Sequence, residues 1–150
     1  MGYAKEFNHL EYNVPEFLTP WTDVSWHNDV CPRFENYTLM LAVWVDCNEP
    51  ERREYEDWKQ YSVCTVLTHG GDDYYLADET LFATEDAEKL EAWLDMYVIK
   101  QHLEQAFLLS GKYGERFADE LASLIAEATE SMVELHDQEA PDCSPSGEPC

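Results

Sequence analysis

At Thr84 the spacing of apolar residues changes from every second position to about every third or fourth, and this switch divides the chain into a strand-forming part and a helix-forming part. Upstream, Tyr37 to Asp46 reads YTLMLAVWVD, a near-continuous aromatic and β-branched run that predicts a central strand. Gln60 to Thr68 alternates: Tyr61, Val63, Thr65 and Leu67 share one face, while Ser62, Cys64, Val66 and Thr68 share the other, as in a half-buried strand. The polar stretch CNEPERREYEDWK, with Pro50, separates these runs and leaves them free to pair antiparallel. His69-Gly70-Gly71-Asp72-Asp73 supplies turn chemistry, and Tyr74 to Phe82 is expected to return as a third, weaker strand. Residues 1 to 36 hold Pro15, Pro20 and Pro32, which favour irregular or extended chain, with Trp21 and Trp26 expected to lie across the core.

Downstream of the switch, Leu90, Trp93, Leu94, Tyr97, Val98, Gln101, Gln105 and Leu108 trace one face of a helix. Thr84 is its expected cap, with Glu85, Asp86 and Glu88 complementing the positive end. Ser110-Gly111-Lys112-Tyr113-Gly114 breaks it, and a second helix follows with Phe117, Leu121, Leu124, Ile125, Ala128, Met132 and Leu135 on one stripe. So short a break folds the two helices back on each other. The expected fold is therefore α+β: a small antiparallel β-meander followed by a C-terminal antiparallel helical hairpin. Residues 1–138 form one domain in this reading, and residues 139–150, rich in proline and acid, form a mobile tail.

A chain of 150 residues has room for one core, and 45% hydrophobic with 13% aromatic residues is too apolar for a wholly disordered acidic protein. No segment approaches the ~20 apolar residues of a membrane span, and Met1 to Glu6 lacks the apolar run of a secretory signal, so a soluble, cytoplasmic protein is expected. Five widely spaced cysteines argue for reduced thiols over a disulfide framework.

Charge is the strongest functional signal. The formal net charge is −23, and it is uneven: residues 1–70 carry 12 acids and 5 bases, net −7, whereas residues 71–150 carry 20 acids and 4 bases, net −16. Residues 85–109 have net charge −4 and residues 115–139 net −7. Two helices of about 37 Å would then present one net charge per about 3.4 Å, against about 1.7 Å for duplex DNA and about 3.4 Å for one of its strands. Few lysines or arginines stand at the spacing that would neutralise these acids within a helix. Such a surface repels nucleic acid and anionic membranes and attracts basic proteins, the plain alternative being an ordinary solvated face. The expected partner is a basic nucleic-acid-binding protein. Its contact residues would be Glu88, Glu91 and Asp95 on the first helix and Glu120, Glu127, Glu130, Glu134 and Asp137 on the second.

In size and composition the chain resembles the small acidic anti-defence proteins of phages and plasmids, the anti-CRISPR and anti-restriction inhibitors, several of which mimic DNA. The likeness lies in general character and not in a motif, so no site residue is carried over from it. It implies an inhibitor that occupies the basic groove of a nucleic-acid-handling protein inside a bacterial host.

Elsewhere, Tyr55 and Trp58 sit among Glu54, Glu56, Asp57 and Lys59, a setting in which an aromatic can stack on a partner arginine, while Trp44 is expected in the core. In Trp26-His27-Asn28-Asp29-Val30-Cys31-Pro32 the polar residues are expected to bond to backbone and Cys31 to pack as a small hydrophobe. A Cys31/His27 nucleophile pair is the enzymatic alternative, and assembly through surface aromatics is the structural one. Cys31, Cys47, Cys64 and His69 match no zinc-knuckle spacing, so neither a metal nor another cofactor is expected.

Overall fold

The computed structural model describes residues 3–7, 11–68, 74–110 and 115–137. The predicted turn at residues 69–73 and the predicted tail at residues 139–150 lie outside them, and with the tail Cys143 and Cys150. After a short helix α1 (Tyr3–Glu6) come five strands: β1 (Thr22–Asp23), β2 (Arg33–Asn36), β3 (Leu41–Val45), β4 (Tyr61–Thr68) and β5 (Tyr74–Thr84). They form one antiparallel sheet in chain order, followed by helices α2 (Ala87–Ser110) and α3 (Glu115–Asp137). The α+β architecture expected from the hydrophobic period is the one observed.

The register explains the core. Phe34 opposes Val43, Val43 opposes Val63 and Val63 opposes Phe82, so four strands contribute one apolar row. Leu90, Trp93 and Leu94 of α2 close over it. The Phe82 ring lies nearly parallel to Trp93, with centroids 5.3 Å apart, and Trp93 stacks in turn on Tyr97 at 5.3 Å. Helix α3 runs back along α2: Thr129, Met132 and His136 from its C-terminal half share a groove with Trp93, Tyr97 and Lys100 from the first half and middle of α2.

The segment before residue 37, expected as irregular or extended chain, supplies two strands beyond the three expected, because Arg33 to Asn36 pairs with β3 despite an unremarkable strand sequence. Three expectations are corrected. The turn into β3 holds Met40 at φ 55°, and the Asn36 carboxamide oxygen accepts the Thr38 and Leu39 amides at 3.1 Å, an Asx turn that sets β3 to begin at Leu41 and not Tyr37. Helix α2 is capped by Asp86, not Thr84: the Asp86 carboxylate accepts the Glu88 amide at 2.8 Å, whereas Thr84 is wholly buried and its hydroxyl accepts the Asp86 amide. The expected stripes also fail toward the turn between the helices. Leu108 is 81% exposed, and Leu109, Phe117 and Leu124 are exposed with it, because this end of the hairpin runs past the apolar row of the sheet.

Trp26 and Trp44 also depart from the expected core. The Trp26 amide bonds to Asp29, which holds that turn in solvent, and Trp44 points to the sheet face opposite the helices, while Trp21 does pack against the core.

Candidate functional site

The acidic residues occupy defined faces. On α3, Glu120, Glu127, Glu130 and Glu134 are all exposed, and helical spacing places them with exposed Asp119 within an arc of about 100°. The buried Leu121 and Ala128 lie on the other side. On α2, Glu88, Glu91 and Asp95 are exposed within an arc of about 60°, opposite Leu90 and Tyr97. Asp137 ends α3, and its side chain is outside the described part.

The charge density is lower than the sequence suggests. Glu85 and Asp86 precede α2, which leaves net −2 on Ala87–Ser110 and net −6 on Glu115–Asp137. Over about 35 Å that is one net charge per about 4.4 Å, sparser than a single nucleic-acid strand. Lys100 is used internally, 2.8 Å from Glu104.

Glu85 instead belongs to a polar knot. Arg53, almost wholly buried, reaches both its carboxylate oxygens at 2.8 and 2.9 Å and donates to the carbonyls of Cys47 at 2.8 Å and Trp58 at 2.5 Å. Burial opposes the Glu85 charge, but the hydrogen bond and charge of Arg53, with the Gln60 amide, outweigh it and leave the carboxyl below its usual value. The knot fixes the loop bearing Tyr55 and Trp58. Both rings are exposed, as expected, and they meet at 4.4 Å between centroids.

Beside Trp58 the outer face of the sheet is hollowed into a cavity of about 550 Å³. Its floor comes from small residues in register: Ser62 lies between Trp44 and Ala83, and Cys64 opposes Thr80. Trp44, Asp46, Trp58 and Cys31 also line it, together with Asp57, Lys59 and His136 from the end of α3. The sequence reading missed this cavity. Its visible signal was the alternation of small outward residues on β4 and the acid that ends the apolar run at Asp46.

The Cys31 thiol is poorly suited to nucleophilic work. It is buried, and desolvation together with the charges of Asp46 and Asp29 pushes its pKa far above the ordinary thiol range. His27 faces Trp26 edge-on at 5.4 Å. Among the described residues no group of three or more His, Cys, Asp or Glu side chains could hold a metal ion, and no helix is long and apolar enough to cross a membrane. Cys31, Cys47 and Cys64 are free thiols.

No family model, curated protein or solved structure matches this chain.

Proposed function

We propose that the protein is an acidic inhibitor that occupies the basic groove of a nucleic-acid-handling protein, acting in the cytoplasm of a bacterial host as an anti-CRISPR or anti-restriction factor. The observation that carries this reading is the gathering of exposed Glu120, Glu127, Glu130 and Glu134 on one arc of α3. Helix stability alone does not favour that arrangement, because Glu130 and Glu134 repel at i,i+4 and lie toward the negative end of the helix dipole. Arginine and lysine from a partner would relieve both penalties, most strongly through two-pronged arginine contacts. Glu88, Glu91 and Asp95 extend the anionic surface on α2, and Tyr55 with Trp58 offers a separate aromatic anchor for arginine.

A density of one charge per about 4.4 Å makes this partial mimicry of a nucleic-acid strand, dependent on side-chain geometry as well as on field. Binding to a panel of immobilised basic nucleic-acid enzymes is the test. The reading expects retention at about 0.3 M salt and its loss in the Glu127→Gln, Glu130→Gln, Glu134→Gln variant, where screening alone would already have removed a purely long-range attraction. Equal retention of both forms removes it. The rival reading, assembly through surface aromatics, draws on exposed Tyr55 and Trp58, and a stable oligomer in light scattering whose interface buries Trp58 would favour it.

A further inference from the structure

We propose that the cavity on the outer face of the sheet is a binding site for a guanidinium group, with Asp46 as its acceptor and Trp58 as its stacking face. The first support is an unmet need. Asp46 is only 5% exposed, and its Oδ1 accepts the Cys47 amide at 2.6 Å, but its Oδ2 is buried without a hydrogen-bond partner. A buried carboxylate oxygen left this way is destabilising, and a charged donor reaching it from the cavity would relieve that penalty. Desolvation raises the Asp46 carboxyl above its usual value although the Cys47 amide and the Arg53 charge act to lower it, as expected of an anion short of donors.

The second support is the shape and chemistry around it. At about 550 Å³ the cavity is of ligand size, with indoles from Trp44 and Trp58 in its lining and a second carboxylate from Asp57. Planar, weakly hydrated guanidinium suits this combination, because it stacks by its face and donates from its edge. The wall already makes one such contact: the Arg33 guanidinium carbon stands 5.2 Å from the Trp44 ring centroid. Lys59 also lines the cavity, and its charge acts to lower the Glu85 carboxyl. Two carboxylates among indoles are too few oxygens for a hard metal ion, and they repel anions.

This site shares with the proposed function only the view of Trp58 as a surface that meets cations; the acidic helices contribute His136 of α3 to its lining and none of the carboxylates of the proposed acidic face. Its test therefore uses no partner protein. Tryptophan indole N–H resonances are followed by NMR while the full chain is titrated with Nα-acetyl-arginine N-methylamide, with free arginine, and with capped citrulline as the neutral isostere. The proposal expects both arginine forms to shift the Trp44 and Trp58 signals and capped citrulline to bind about tenfold more weakly or worse. Asp46→Asn and Trp58→Ala should each weaken capped arginine about tenfold. Trp58 is exposed, so its variant stays readable even if Asp46→Asn unfolds the sheet. Capped arginine binding at least as tightly as the free amino acid identifies a protein side chain as the ligand, and the reverse identifies a small metabolite. Absence of shifts, equal affinity for citrulline, or unchanged affinity in Trp58→Ala overturns the site.

Discussion

Arg53 grips Glu85 with two prongs, Nη1 to Oε1 at 2.8 Å and Nη2 to Oε2 at 2.9 Å, across 32 residues of sequence. Because the same guanidinium also holds the carbonyls of Cys47 and Trp58, one side chain fastens the aromatic loop to the residue before the Asp86 cap of α2. The cavity wall and the start of the helical hairpin are thereby positioned together.

Removing Arg53 should cost more than removing its partner. Arg53→Ala orphans two carbonyls and leaves a void, for about 3 kcal/mol of lost stability in urea unfolding. Glu85→Gln should cost about 1 kcal/mol, since solvent screens a carboxylate this exposed.

The pH dependence has a definite sign. Glu85 titrates below its ordinary 4.5 in the folded chain, so its contribution is present above that value and fades as pH falls through the lower folded pKa. Acid unfolding curves of Glu85→Gln should be flatter below about pH 4.5 than those of the parent, and parallel curves would contradict the pairing.

The acidic arc of α3 should be held at a cost to the free protein. Replacing Glu127, Glu130 and Glu134 by glutamine removes like-charge neighbours near a helix C-terminus and should raise stability by about 0.5–1.5 kcal/mol in thermal melts at low salt. Added salt should stabilise the parent more than the variant.

Much of the fold was legible in the sequence: the β3 and β4 runs and α3 follow from hydrophobic spacing, whereas α2 keeps its stripe only from Leu90 to Tyr97 and exposes Ile99, Phe107, Leu108 and Leu109 beyond it. What was not legible depended on tertiary contacts. Arg33 to Asn36 becomes a strand only because β3 offers it an edge, and Trp44 is turned outward by a register in which Val43 and Val45 take the core. The acidic candidates were visible as charges, and helical phase places them in coherent arcs. The cavity was hidden because its lining comes from strands and loops far apart in the chain, and Asp46 gains its character only from burial. The loss of Glu85 from the acidic surface likewise required Arg53, whose own burial no local pattern announces.

Phe82 carries the join between sheet and helices. It is fully buried, stacked on Trp93 and opposed to Val63, so Phe82→Ala should destabilise by about 3–5 kcal/mol, with near-ultraviolet circular dichroism showing loss of the stacked rings.

Cys31 should resist alkylation. Burial of all three thiols, with desolvation raising the pKa of Cys31 and Cys64, predicts that iodoacetamide at neutral pH labels Cys31, Cys47 and Cys64 only as the protein unfolds, whereas rapid native labelling of Cys31, mapped by mass spectrometry, would revive a nucleophilic role.

The most direct test of the central claim is competition: the chain is titrated against a fluorescent duplex bound to a basic nucleic-acid enzyme, and displacement is read by anisotropy across a series of salt concentrations. The account predicts displacement that weakens with salt, and weaker displacement with a shallower salt dependence when Glu127, Glu130 and Glu134 are glutamine. Displacement that is equal for both forms, or none at low salt for any enzyme of the panel, would contradict it.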